Sequence, residues 1–421
     1  MMKFIHAADL HIDSPLRGLN GYDGAPVQEL RGATRRALSA LVDLAIEQAV
    51  DFVILAGDIY DGNWTDFRTG LFFRDQMVRM TRESIRVYIV KGNHDAESQI
   101  TKQLPPVEGV HTFKSSSVET FTIDRLGVAL HGRSFPNRAV PEDLVEHYPT
   151  AIANMFNIGV LHTSLNGRGG HDVYAPTTVD ALCGKGYDYF ALGHVHAREI
   201  VREAHPRIVY PGNLQGRHAK ETGPKGCELV TVTGGAITDA RFVPLDVVRW
   251  HRLQLEAGGA SDLNALRQRF MTAAVSLVAG EHERLHALRV IVSGQTELHR
   301  IEAEQPGTIA AAIQAGTQDF EGADLWVEEV QLDLRSPLDR DAALRREDAV
   351  GEVVQLVDEI ASSEDCLRAW ALAQLGALGT LPPGLADCAP AALPPEALRA
   401  LLADAEATVL AHLGGMEGIA R

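Results

Sequence analysis

Five short motifs place a carboxylate, an amide or an imidazole directly after an apolar run. Asp9-Leu-His11 follows Lys3-Phe-Ile-His-Ala-Ala8, and Gly57-Asp58-Ile-Tyr-Asp61 follows Phe52-Val-Ile-Leu-Ala56. Lys91-Gly-Asn-His-Asp95 closes Val87-Tyr-Ile-Val90, His162 ends Ile158-Gly-Val-Leu161, and Gly193-His194-Val-His196 ends Tyr189-Phe-Ala-Leu192. Oxygen and imidazole donors in this mixture suit divalent metal ions. Two such ions about 3.5–4 Å apart can clamp the attacking and leaving oxygens of a phosphoryl transfer. The pair needs a bridging carboxylate. Asp58 suits that role, and Asp9, His11, Asn93, His162, His194 and His196 can supply the other donors. In Asp-Leu-His and His-Val-His the donors stand at i and i+2 of an extended segment and face the same way. A lone histidine on an apolar strand is ordinarily a satisfied core residue, which serves for His6, His111 and His131. It does not explain five motifs in succession.

The elements that must position these donors are strands. Each apolar run has the length and β-branched content of a buried parallel strand, and open α/β sheets bind ligands beyond the carboxyl ends of such strands. Residues 26–49 read as one helix, with Leu30, Ala33, Ala37, Leu41, Leu44 and Ala45 on one face. Thr65 or Asp66 can cap the next helix, whose apolar face carries Leu71, Phe72 and Met77. After Asp95 the pattern turns to short strands at 118–123, 128–132, 156–161, 188–192, 208–210, 227–233 and 240–245. Strand-helix alternation followed by many short strands predicts an α/β fold of two packed sheets flanked by helices.

A shift comes near Trp250. Residues 250–257, 287–293 and 325–334 alternate as strands around helical patterns at 262–279 and 308–316, which predicts a small α+β domain at 250–336. Residues 337–421 are helical and rich in Ala and Leu, with Val350, Val353, Val354, Val357 and Ile360 on one face and Pro382-Pro383-Gly384 as punctuation. The last helix starts at Pro395, lines up Leu398, Leu401, Leu402, Ala405 and Val409, and is expected to stop before Gly414-Gly415. The predicted division is thus 1–249, 250–336 and 337–421.

Composition sets the outer bounds. Apolar content of 45% and charged content of 23% are those of a globular protein. The net charge of −17 argues against polyanion binding over the whole surface, though phosphate contacts are local. Residues 66–91 and 198–228 lean basic, whereas 340–421 carry thirteen acids against six bases. No apolar run reaches the roughly 18 residues of a membrane span, and no signal-peptide pattern opens the chain. Cys183, Cys227, Cys366 and Cys388 form no Cys-x-x-Cys pair, so reduced thiols and a cytoplasmic location are expected, without membrane association.

Asp-x-His, Gly-Asp-x-x-Asp, Gly-Asn-His-Asp, His and Gly-His-x-His, in this order, resemble the calcineurin-like metallophosphoesterase superfamily. The opening Phe4-Ile-His-Ala-Ala-Asp-Leu-His-Ile-Asp-Ser-Pro15 and Tyr210-Pro-Gly-Asn-Leu-Gln-Gly-Arg-His218 further resemble SbcD-type DNA-repair exonucleases, especially the YhaO-like branch. The resemblance implies a four-layer α/β/β/α core, a capping domain and a helical tail that docks an SMC-like ATPase subunit of the SbcC or YhaN type. It also implies a homodimer. One metal would be held by Asp9, His11, Asp58 and His196, and the other by Asp58, Asn93, His162 and His194. Manganese is the usual ion of such proteins, and the ligand mix also admits Fe or Zn. His94 would be the acid for the leaving 3′ oxygen or would stabilise charge on the phosphorane. Asp61, taken to lie one helical turn past Asp58, would orient it; some relatives carry histidine there.

Arg217, His218 and Lys220, just after a Pro-Gly turn, and Arg168 in the Asn166-Gly-Arg-Gly-Gly-His171 loop are candidates to hold a substrate phosphate. The predicted activity is a dinuclear-metal-dependent DNA nuclease, an exonuclease with some single-strand endonuclease action. A cyclic-nucleotide or small-molecule phosphodiesterase on the same core is the first rival, and a non-catalytic protein-binding scaffold the second. Polarity of digestion and strand preference are not legible.

Overall fold

The computed structural model describes residues 1–14, 26–61, 66–97, 105–165, 174–281, 283–337, 339–376 and 393–417. Strands β1 (Met2–Ala7), β2 (Phe52–Ala56), β3 (Arg86–Val90) and β4 (Val110–Thr112) pair in parallel. Strand β11 (Gly226–Thr233) lies antiparallel on the free side of β1, and β12 (Ala236–Pro244) antiparallel beyond it, giving the order β12-β11-β1-β2-β3-β4. A second six-stranded sheet has the order β5-β6-β7-β8-β10-β9, from β5 (Glu119–Ile123), β6 (Val128–Gly132), β7 (Phe156–His162), β8 (Tyr189–Gly193), β9 (Glu199–Arg202) and β10 (Arg207–Tyr210).

Alternation of side chains explains the layering, because successive strand residues face opposite ways. Phe4, Phe52, Ile54, Tyr88 and Val90 meet Leu130, Ile158, Val160, Tyr189 and Val209 between the sheets. The intervening Ile5, Val53, Leu55, Val87 and Ile89 pack on the other side against Ala37, Leu38, Leu41, Met77 and Met80. Those residues come from helices α2 (Ala33–Glu47) and α3 (Phe67–Arg82). The outer face of the second sheet is covered by Leu144, Val145, Tyr148 and Leu182, from a short 3₁₀ turn and helix α4 (Val179–Cys183). The core is therefore the expected four layers.

The chain separates into two compact units, Met1–His251 with Glu281–Leu288 and Ala323–Glu328, and Arg252–Gly280 with Arg289–Gly322 and Glu329–Arg421. Strands β13 (Val248–Glu256), β14 (Leu285–Gln295) and β15 (Asp324–Arg335) form a three-stranded sheet in that order. The expected boundary at 250 falls within β13. In the first unit Val248, Trp250, Ala287 and Trp326 bury themselves with Leu30, Ala33 and Ala219. In the second, helix α5 (Leu263–Leu277) packs on α7 (Thr308–Gln318), which follows the unanticipated α6 (Leu298–Glu304). Beyond α8 (Arg340–Ala343), helices α9 (Ala349–Ala361), α10 (Glu364–Gly376) and α11 (Pro395–Glu417) meet through Leu367, Ala371, Leu398 and Leu402 and through Val350, Val354 and Leu410.

Several local expectations are corrected. The helix expected over 26–49 is interrupted at Gly32, the weakest helix former past its opening Pro26, into α1 (Val27–Arg31) and α2. Asp66 caps α3 by accepting the Arg68 N–H, but Leu71 is exposed, because Thr69, Gln76, Met77 and Met80 take the inward face. Strand β12 starts at Ala236 rather than 240. Helix α11 runs through Gly414-Gly415 to Glu417, and its Leu401 and Val409 are exposed. Pro382-Pro383-Gly384 lies outside the described residues.

Candidate metal centre

The carboxyl ends of β1, β2, β3, β7 and β8 converge, and the five motifs lie there. Backbone bonds lace them together. Asp9 N–H donates to the Gly57 carbonyl (3.0 Å), His11 N–H to the Asp58 carbonyl (3.0 Å), and His194 N–H to the Asp9 carboxylate (3.0 and 3.1 Å). Asp95 is the central tie: its carboxylate accepts N–H groups from Ile59 (3.1 Å), Tyr60 (3.0 Å) and Gly92 (3.1 Å). The Asp58–Asp61 segment is consequently irregular rather than a helical turn. Asp9, His11, Asp58 and His194 all have positive φ, of 52°, 42°, 51° and 100°. That conformation costs a non-glycine residue about 1–2 kcal/mol, and such strain clusters where surrounding structure over-determines the backbone.

The donors come together in three overlapping groups. Ligand atoms of Asp9, Asp58 and His162 lie within 4.8 Å of one another, as do those of Asp9, His11 and His196, and those of His11, Asp61 and His94. His162 Nδ1 donates to the Ala56 carbonyl (3.0 Å), which turns Nε2 towards Asn93 Oδ1 (3.0 Å) and Asp58 Oδ2 (3.3 Å). His196 Nδ1 donates to Glu221 Oε1 (2.7 Å), which turns its Nε2 towards His11 Nε2 (3.1 Å). Acceptors converging on acceptors is the donor chemistry of a cation site. His194 is buried with its ring 5.3 Å from that of His162 and 5.4 Å from that of Tyr174; it belongs to none of the three groups.

Glycine makes the space. A Cβ on Gly57 would stand 2.2 Å from His162 Nδ1, one on Gly92 2.3 Å from Asp58 Oδ1, and one on Gly193 1.8 Å from the Ala56 carbonyl oxygen. The donor set and this cradle fit a pair of divalent cations.

The charge balance points the same way. Burial pushes the Asp9 carboxyl up to about 6. Burial also opposes the Asp58 charge, but His162 beside it holds that carboxyl well below the usual range. Burial disfavours a charged His162, yet Asp58 and Asp9 raise it to about 9. A proton thus balances the buried carboxylates, and a bound cation would release it. His11 is pushed down to about 4 by burial and by the nearby Arg217.

His94 stands at the rim, 30% exposed, with Nδ1 3.0 Å from Asp61 Oδ1. That bond raises the His94 pKa. Asp61 also accepts from the Ser14 hydroxyl (2.7 Å). Arg217, expected to hold a substrate phosphate, has its guanidinium on Glu221 (2.9 Å) and 3.9 Å from Asp61. His218 and Lys220 are exposed, and Arg168 lies outside the described residues. Sequence reasoning passed over Glu221, Ser14 and Asn213. Ser14 and Asn213 stood inside the two longer motifs without a role and Glu221 lay outside them, since their roles depend on partners elsewhere in the chain; Asp95 was visible in its motif but not as a tie.

Comparison with known proteins agrees with this geometry. Residues 2–198 match the family model for calcineurin-like phosphoesterases, and residues 250–335 match the model for the middle domain of metallophosphoesterase YhaO. Residues 2–198 thus form a calcineurin-like phosphoesterase domain. It is 37% identical over 270 residues to the uncharacterized metallophosphoesterase YhaO of Bacillus subtilis (strain 168), over 63% of this chain and 66% of that one, just under two thirds of its length. Among solved structures it is similar to a dimetal phosphatase from Danio rerio (12% identity, TM-score 0.34, 55% of this chain and 93% of that one). A protein from Thermus thermophilus is similar at 13% identity and TM-score 0.35, over 57% of this chain and 98% of that one. No helix among the described residues is long and apolar enough to cross a membrane.

Proposed function

We propose that this phosphoesterase is a DNA nuclease, exonucleolytic with some single-strand endonuclease action, and that manganese is its ion. The observation that carries the reading is the partly exposed His94–Asp61 pair beside the metal donors. A phosphodiester with a sugar leaving group needs a proton for its departing oxygen, which a protonated histidine supplies. When bound, a pair of divalent ions supplies an acidified water as nucleophile and positive charge for the phosphoryl oxygens. Asp9, His11, Asp58 and His196 would hold one ion, and Asp58, Asn93, His162 and His194 the other. His94 donates Nδ1–H to the Asp61 carboxylate, so the proton available to the leaving oxygen is on Nε2. The match of residues 250–335 to a dedicated middle domain supports a large substrate, which that domain would help to select.

An SMC-like ATPase partner fits the helical region, where Leu356, Leu372, Leu401 and Val409 are exposed. A homodimer and a cytoplasmic site of action complete the proposal. A small-molecule phosphodiesterase is the second reading, favoured by the ion-paired state of Arg217.

The test is manganese-dependent digestion of end-labelled single- and double-stranded DNA, beside bis-p-nitrophenyl phosphate and cyclic nucleotides. Shortening of DNA that EDTA stops, and that His94→Ala abolishes at unchanged metal content, is the expected result. Turnover of small esters alone would overturn the DNA assignment and leave the site chemistry standing.

A further inference from the structure

We propose that Glu221 is the positioning residue joining the two halves of the site, the metal donor His196 and the His94–Asp61 pair. The inference rests on the metal-centre reading above. Glu221 lies in the loop between β10 and β11, and its side chain is 7% exposed. Each carboxylate oxygen has at least two partners. Oε1 accepts from His196 Nδ1 (2.7 Å) and Arg217 Nη2 (2.9 Å), and Oε2 from Asn213 Nδ2 (2.9 Å) and the Arg217 backbone N–H (2.8 Å).

The consequence for His196 is a fixed tautomer. A carboxylate only accepts, and its 2.7 Å contact is shorter than the 3.2 Å approach of Arg217 Nη2, a donor that would need the Nδ1 lone pair; Nδ1 therefore carries the hydrogen and Nε2 presents its lone pair to a cation. The His196 backbone is pinned as well, its carbonyl accepting from Lys225 Nζ (2.8 Å) and the Asn213 N–H (3.2 Å).

The consequence for the acid runs through Arg217. Held by Glu221, its guanidinium lies 3.4 Å from Ser14 Oγ and 3.9 Å from Asp61 Oδ2, while Ser14 donates to that same Oδ2. Asp61 Oδ1 faces His94 Nδ1 (3.0 Å), with His11 Nδ1 further off (3.7 Å). Without the Glu221 charge, Arg217 loses its counter-ion and Asp61 becomes the nearest replacement.

The experiment compares Mn²⁺ binding to the full chain by calorimetry and by Mn²⁺ electron paramagnetic resonance. Its proteins are the wild type, Glu221→Gln, Glu221→Asp and, as a control, Asp246→Asn. Asp246 is buried and ion-paired with Arg249. We expect Glu221→Gln to weaken one of two ions by roughly 10- to 100-fold, as loss of such an outer partner does, and to replace a coupled two-ion spectrum with a single-ion one. Glu221→Asp keeps the charge but withdraws it from His196, and should give the same spectrum if the Gln variant does not fold. Wild-type affinity at both ions in either variant overturns the inference and leaves the metal centre intact. Equal weakening in Asp246→Asn overturns it as general loosening. Failure of the wild type to bind any divalent ion overturns the metal reading itself, and the inference with it.

Discussion

At the scale of single residues, the site divides into donors legible from their motifs and partners that only folding supplies. Asp9, Asp58 and His162 stand at the ends of apolar runs, and the fold brings them within reach of one another. Glu221 is 25 positions from the histidine it orients and Ser14 is 47 from Asp61, distances at which no local pattern exists. Asp61 raises the His94 pKa, so the donating imidazolium persists below that raised value and is lost as pH climbs through it. Asp61→Asn should therefore move the basic limb of the rate–pH profile towards acid, whereas His94→Ala should cost about 10²–10⁴ in kcat; an unmoved limb would deny Asp61 its role. His6 carries a different pH signature. It lies buried between the Tyr189 hydroxyl (3.0 Å) and the Leu192 carbonyl (3.1 Å), and burial pushes it down to about 3. The unfolded chain takes up this proton near pH 6.5, so stability is full above that and falls as pH drops towards 3. The His6 share of the loss should be about 2 kcal/mol at pH 5. Urea unfolding at pH 7.5 and 5 would measure it, and His6→Gln should reduce the slope by one proton.

At the scale of elements, period-two alternation made the central strands legible, because each has one face between the sheets and the other under a helix. Helix limits were less so. Nothing local distinguishes Gly32, which interrupts a helix, from Gly414-Gly415, through which one continues. The motif glycines are a sharper test. Gly92→Ala directs a methyl at Asp58 and His162, and should leave the circular dichroism of the fold in place while Mn²⁺ affinity falls at least tenfold. Gly193→Ala has only backbone to push against at its shortest contacts and should fail to fold. Gly127→Ala, with positive φ but open space, should cost about 1 kcal/mol. Equal behaviour of all three in binding and thermal melts would remove the cradle argument.

At the scale of the molecule, the two-sheet core was predictable, but its strand order was not. Mn²⁺ at a hundredfold excess over its Kd should stabilise the folded chain by about 2.7 kcal/mol, read as a rise in Tm that EDTA reverses; an unchanged Tm would mean that the core binds no ion. The boundary expected at 250 lies inside a strand because Ala287 and Trp326 return to bury Trp250. Truncation at 250 should accordingly lower Tm even if small-ester turnover survives.

The place of β1 between β2 and β11 also sets a clock. The first strand of this core to leave the ribosome waits for residues 226–233, among the last of the core to be made, before its second edge is covered. Until then a largely apolar edge is open to other chains. A nascent chain arrested near residue 198 should aggregate or hold a chaperone, and one arrested far enough beyond residue 251 to clear the exit tunnel should not.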